Sequence, residues 1–501
     1  MFRLRKALLI CALIALPATV AFNAAATLPG TGWWTIETIQ NVDSTAATIS
    51  VTAYDTSGTN SYSNNSNLNG GWAVNLTPAD FTGMASGFTG SAVVSSDKPV
   101  IGLGYVTNRQ YSGYGVSGGK AAVRYQGMNS PASTLYFPVT KHNWYGLTTV
   151  IYIQNAGTVS TTVTAVFATG ATTTTYYTYT SPTIAPNRMI SFTPADAAVP
   201  NGPSNPSTKV NIGSLTVTAS QPLAGMYLEY KVSETKAQYL NGTRAMTSAD
   251  MDTKAYAPSV KNYWYSRFSG IPVLNVSSNP ISVTVTYVGT GQYQTSTCKG
   301  KTYTDTVTNL LPGKSANFVV YPGSTNLPQY CVAAATITAT GSFVALVNEG
   351  STSDTTISAG SAMYAIPNAS ATTKLAAPIF MDKRSYYGVQ LTSGLQIQNV
   401  GSANAANVVA TFYCYGQGTS NTPFTAITNP LTINAGASYL IMNPYSKQQS
   451  IFAAGNPFAY DKAVCSVVVT GDQPIVALVN EISDTSGAAD DARSEAFNLT
   501  P

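Results

Sequence analysis

Aromatic pairs recur in this chain just ahead of apolar strands: Trp33-Trp34, Trp144-Tyr145, Trp264-Tyr265 and Tyr386-Tyr387. Flat rings held at a surface stack on sugars. The same rings turned inward make a core or an interface. Successive strand residues face opposite ways, so one member of a pair enters the core while the other faces out or packs on the preceding unit. Trp34, Trp144, Tyr145, Trp264, Tyr265, Tyr386 and Tyr387 are therefore the candidate binding aromatics.

Other reactive residues point away from catalysis. The lone His142 stands beside Trp144, where it reads as a partly exposed link residue. Gly115-Val-Ser-Gly-Gly119 spells a nucleophile elbow, but that motif needs a strand-to-helix turn and a His partner. Leu28-Pro-Gly-Thr-Gly32 spells a wall-sorting pentapeptide at the wrong end of a chain. Glu229, Glu349 and Glu481 occupy one position in three repeats, one carboxylate each, and read as acceptors for neighbouring backbone N–H groups. Asp484, Asp490 and Asp491 form the densest acid cluster, with no EF-type spacing. No C-x-x-C, H-E-x-x-H or P-loop occurs. The sequence predicts no enzyme, no cofactor and no metal site.

Residues 1–26 read as an export signal: Arg3, Arg5 and Lys6, then an apolar run from Leu8 to Val20, then Ala24-Ala25-Ala26 for cleavage after Ala26. The run is too short for a membrane span. Its removal lowers the net charge from +4 by three positive charges, which leaves no footprint for nucleic acid or an anionic membrane. Four cysteines then remain. Even numbers per repeat in an exported chain read as disulfides, Cys298–Cys331 and Cys414–Cys465.

The elements that carry these residues repeat. The aromatic pair leads through a strand to a closing Asn at 41, 155, 275 and 399. Ser91 to Leu103, Ser214 to Met226 and Ser466 to Leu478 share a second pattern, read as strand, tight turn, strand. Leu135-Tyr-Phe-Pro138, Ala255-Tyr-Ala-Pro258 and Leu375-Ala-Ala-Pro378 mark a first or edge strand, since Pro cannot donate to a central ladder. The Asn- and Ser-rich stretch from Asn60 to Asn69 reads as a mobile loop. Only 9% of residues are charged, and hydroxyl and amide residues replace them.

Short alternating strands and the long repeat predict an all-β chain of four tandem β-sandwiches: 27–131, 132–251, 252–371 and 372–501. Ile153-Gln-Asn-Ala-Gly-Thr and Ile397-Gln-Asn-Val-Gly-Ser resemble bacterial immunoglobulin-like, adhesion-related repeats of secreted and surface proteins. The resemblance implies display, spacing or binding, and transfers no catalytic residue. The expectation is an elongated, semi-rigid chain at the cell surface or outside the cell. It is a non-enzymatic structural or adhesive protein, with surface glycans or other surface proteins as partners. A carbohydrate-binding protein using the aromatic pairs is the alternative.

Overall fold

The computed structural model describes residues 11–13, 28–56, 60–170, 175–202, 205, 207–231, 239–290, 292, 296–351, 362–365, 371–386, 389–415, 423–442, 448–452, 458, 463–483 and 494–498. They form strands, turns and short 3-10 turns, without α-helix among them. Thr, Val, Ile and Tyr at alternating positions suit a pleated surface and give the helix period nowhere to start.

The second repeat shows the plan. An opening strand, Ala132–Lys141, leads to an inner strand, Leu147–Asn155. A 20-residue spine, Ile212–Lys231, is followed by a closing strand, Leu240–Arg244. The first half of the spine pairs with the opening strand and with Val163–Thr169; its second half pairs with the inner and closing strands. One bent strand thus serves two half-barrels. The turn expected at Gln221-Pro222 is absent: the spine runs through it, as do Cys331–Ser351 and Ala463–Ser483. Only the first repeat breaks its spine, into Gly90–Ser96 and Val100–Thr107 around Pro99. In the opening strands the ladder skips at Pro138, Pro258 and Pro378, each of which lies where the register shifts.

The recurring Asn fastens each repeat. Asn41, Asn155, Asn275 and Asn399 are all fully buried. Each Nδ2 donates to the carbonyl four residues on, at 2.7–2.8 Å, and to a carbonyl at the end of a neighbouring segment, at 2.8–2.9 Å. Each Oδ1 accepts from the N–H two residues on. No other side chain of this size offers two donors and an acceptor in that geometry.

Two local expectations change. Ser61–Leu68, expected as a mobile loop, is a strand paired along its length with Ala47–Asp55. Its hydroxyls and amides make a polar edge ladder, as in Thr52 Oγ1 to Ser63 Oγ at 3.0 Å. Composition hid the alternation. The cysteines pair as Cys298–Cys331 and Cys414–Cys465, with Cα separations of 5.5 and 4.0 Å. Both bridges are buried and fit an oxidising environment.

The elongated arrangement is overturned. The inner strands are buried on both faces, and the outer face of each repeat packs on apolar residues of the repeat before it. Val150, Tyr152 and Leu228 of the second repeat pack on Val106, Val123 and Tyr125 of the first. Leu274, Val344 and Leu346 of the third join the core of the second. Val476 and Leu478 of the fourth join the core of the third. Trp34, Ile36, Leu103 and Tyr105 of the first join the core of the fourth, which closes a ring.

Repeated hydrogen bonds mark three of the junctions. The Ser91, Ser214 and Ser466 hydroxyls, at one spine position, donate to the carbonyls of Asn187, Gly313 and Gly71, at one turn of the next repeat, at 2.6–2.7 Å. Between the third and fourth repeats, Gln398 Nε2 donates to the Ala335 carbonyl instead. The closing strands Ala122–Gln126, Leu240–Arg244, Ala362–Ala365 and Ser494–Asn498 lie side by side in cyclic order at the centre.

Solution scattering checks the ring. A compact chain of this length has a radius of gyration of about 23 Å, whereas four sandwiches in a row about 140 Å long would give about 40 Å. A value near the first is expected. Replacing Asn275 with Ala removes a buried hydrogen bond to the Leu310 carbonyl and the acceptor for Ser277 N–H, and is expected to cost about 2 kcal/mol in chemical denaturation.

Candidate functional site

A groove of about 620 Å³ lies where the third repeat meets the fourth. Trp264 and Tyr265 form one wall; Gln396, Asn480, Leu440 and Met442 form the other. Its origin is a pair of small or polar residues on an outer face. Val150 and Leu228 fill this place between the first and second repeats, and Ile36 and Tyr105 fill it between the fourth and first. In the fourth repeat the same ladder pair is Gly394 and Asn480. A Cβ on Gly394 would come within 3.1 Å of the Leu440 side chain.

Amides line the groove. Gln292 of the third repeat donates to the Leu440 carbonyl and accepts from its N–H, both at 2.7 Å, like an added strand residue. Gln448 spans Met442 N–H and Leu440 C=O, each at 2.8 Å. Gln396 Nε2 donates to Ser438 Oγ at 2.8 Å. Asn480 Oδ1 is buried and has no hydrogen-bond partner.

The aromatic pair is not on a flat strand, as the sequence reading assumed. It heads a two-residue hairpin turn. Tyr265 and Ser266 both have positive φ, 49° and 59°, as do Tyr145 and Gly146, 48° and 79°. Such turns match the twist of the strands they join. The first aromatic therefore folds inward and the second stands at the tip. Trp264 is 9% exposed and Tyr265 82% exposed, with their rings edge to face at 5.2 Å.

The other candidates are scattered. Trp144 is half-buried and Tyr145 exposed on the second repeat, outside this groove. Trp34 is fully buried, donates from Nε1 to the Arg109 carbonyl at 2.9 Å and stacks on Tyr114. It belongs to an interface core and offers no ring to solvent. Tyr386 pairs by its backbone with Val389, and Tyr387 lies outside the described residues. The cluster Asp484, Asp490 and Asp491 also lies outside them. His142 Nδ1 sits 2.7 Å from the Val199 carbonyl, and Gly115–Gly119 is a loop. No three His, Cys, Asp or Glu gather to hold a metal among the described residues. No helix among them is long and apolar enough to cross a membrane.

The repeated glutamates are acceptors, but for side-chain cations rather than backbone N–H groups. Glu229 pairs with Lys141 at 2.7 Å and accepts from Tyr239 Oη at 2.9 Å. Glu349, beside the groove, pairs with Lys261 at 2.7 Å and Arg267 at 2.9 Å. In the fourth repeat the lysine position is Met381, and Glu481 takes its cation from Arg124 of the first repeat. Both side chains are fully buried, and the guanidinium lies over Tyr105, 4.3 Å from its centroid. A cation borrowed across the ring could not be read from strand patterns.

No protein-family model matches the sequence, and no curated protein matches it. Among solved structures, the chain is similar to Thermotoga maritima 1070, at 16% identity over 24% of this chain and 96% of that one, with a TM-score of 0.18. It is also similar to the T=1 particles derived from infectious bursal virus, at 12% identity over 74% and 71%, with a TM-score of 0.11.

Burial pushes the Glu349 carboxyl up, but the charges of Lys261 and Arg267 prevail and hold it below the usual range. Asp250 behaves alike: burial raises it and Arg244, at 2.6 Å, brings it lower still. A depressed carboxyl stabilises the fold above its unfolded pKa and loses that contribution as pH falls through the folded value. The contribution of these two carboxyls is therefore expected to hold from pH 7 to about 5 and to be lost below about 4. Replacing Glu349 with Gln should flatten that acid limb and, at pH 7, cost about 3 kcal/mol by leaving buried cations unpaired. Urea titrations across pH check both.

Replacing Glu481 with Gln removes the carboxylate charge that Arg124 meets at the junction that has no linker. The expected cost is about 3–5 kcal/mol. Separate melting of the ring seam, read by hydrogen exchange in Trp34–Asn41 and Ala463–Ser483, checks it.

Proposed function

We propose that this chain is an exported, non-enzymatic structural and adhesive protein of the cell surface, and that it adheres by holding a glycan in the groove between its third and fourth repeats. The immunoglobulin-like resemblance supports display and binding. The spacer role loses its support with the rod. The groove carries the reading. An apolar ring face at Trp264, an exposed phenol at Tyr265 and the amides of Gln396 and Asn480 meet in one place. Sugars present an apolar C–H face and a rim of hydroxyls, and such walls match both. The cations nearby, Lys261 and Arg267, are held by Glu349, so the groove favours neutral ligands over anionic ones.

A glycan array with the mature chain, followed by titration of the best binder, tests the proposal. Tyr265→Ala removes an exposed ring, so melting should hold while affinity falls tenfold or more. Gln396→Ala should also weaken binding. Trp264→Ala should lose both binding and stability, because that ring is buried. Binding that survives Tyr265→Ala and Gln396→Ala together would remove the groove from the account.

A further inference from the structure

The first repeat differs from the others at the place where the opening strand belongs. In repeats two to four that strand lies along the first half of the spine, with Leu135 opposite Val217, Ala255 opposite Ile337 and Leu375 opposite Val469. In the first repeat the matching spine segment, Gly90–Ser96, pairs there with Cys11–Leu13. Cys11 stands opposite Val94 and Leu13 opposite Ala92. These three residues fall in the apolar run of the export signal. Cleavage after Ala26 would take them away and leave the ladder edge open.

The core under that edge has less bulk than its sister's at Ala53 and Ala92, while the Tyr125 ring fills the space over Gly104. Register aligns Phe167, Leu215, Tyr227 and Ile151 of the second repeat with Ala53, Ala92, Gly104 and Glu37 of the first. In the second repeat these positions are closed by aromatic contacts. Phe137 of the opening strand meets Tyr227 at 5.5 Å, and Phe167 meets Phe192 at 6.3 Å. In the first repeat, Phe81, Phe88 and Met84 enter from the loop side, and a cavity of about 30 Å³ remains between them and Glu37, Ala53 and Ala92. Glu37 is 3% exposed, and neither of its carboxylate oxygens has a hydrogen-bond partner. Burial pushes its carboxyl well above the usual range. A carboxylate replacing the Ile of a sister repeat costs stability unless something arrives to pair with it.

We propose that the first repeat of the mature chain is a receptor for an extended strand donated by another polypeptide, which pairs along Gly90–Ser96 and brings a basic side chain opposite Ala92 to meet Glu37. The three sister strands define the backbone of the donor, and Glu37 defines its charge. Main-chain pairing supplies affinity in such strand addition, and the inward side chains supply specificity. Among the described residues, the strands of the four repeats are paired within their own repeats, which favours a different polypeptide over a second copy as the donor. The inference rests on the export reading and is independent of the glycan groove.

The test uses residues 27–501 and two labelled peptides. One has the sequence of residues 132–141, and the other is the same peptide with Phe137→Lys, which places the amine opposite Ala92. Fluorescence anisotropy should show binding of both, with the lysine peptide at least tenfold tighter. Glu37→Gln should abolish the preference and keep the binding. If residues 27–501 do not fold alone, refolding that depends on the lysine peptide, and not on the other, supports the same site. No binding, or equal binding of the two peptides to the unaltered chain, overturns the proposal. So does an exported protein whose measured mass retains residues 11–13, because the chain then fills its own slot.

Discussion

At each described junction the outer face of one repeat is buried against apolar residues of the repeat before it. That constraint governs the rest. A half-barrel whose inner strand is apolar on both faces cannot stand alone in water, and a row of four would leave one face bare at an end. Closing the fourth repeat on the first removes the bare end. Trp34 and Tyr105 are both fully buried in doing so. Aromatic rings of this kind cover roughly 150–250 Å² each, so at about 25 cal/mol per Å² the two contribute up to roughly 8–12 kcal/mol before side-chain ordering is counted. Arg124 and Glu481 add specificity at the same seam, since a buried charge tolerates only a matching partner.

Within this frame the repeats have diverged where divergence does least harm. The Asn that fastens each turn is the same in all four, because its three hydrogen bonds leave no substitute. The outer-face pair is free to change as long as the ring still closes. Val150 with Leu228 makes a filled junction; Gly394 with Asn480 leaves a groove. The first repeat has lost bulk on the inside instead, at Ala53 and Ala92, and has gained a carboxylate at Glu37. The groove and the cavity in this architecture arise by subtraction from a packed template.

Strand content and the Pro-marked opening strands were legible in the sequence because each depends on neighbours a few residues away, and the repeat and the cysteine pairs because residue type alone marks them. The ring was legible in part and was missed. Val150-Ile-Tyr-Ile153 is apolar at every position, and a strand with one wet face alternates. Continuous apolarity meant cover on both sides, which no rod supplies. Ser61–Leu68 failed for the opposite reason: its Ser and Asn composition suggested a loop while its pairing partner lay one turn upstream. The groove at Trp264 needed the register of two repeats at once. Glu37 was overlooked because it lies one strand away from the repeated glutamates, at a position that is Ile in the second repeat.

Three of the four junctions are bridged by short stretches of chain, and the fourth is not. That asymmetry makes the seam between the first and last repeats an intramolecular binding reaction. Faces tethered through a common body meet at effective concentrations on the order of millimolar. An interface that would bind only at micromolar strength between separate molecules is then shut roughly a thousand times more often than it is open. The seam therefore has room to be modest in strength and quick to part. It is the one place where two repeats separate without stretching the chain.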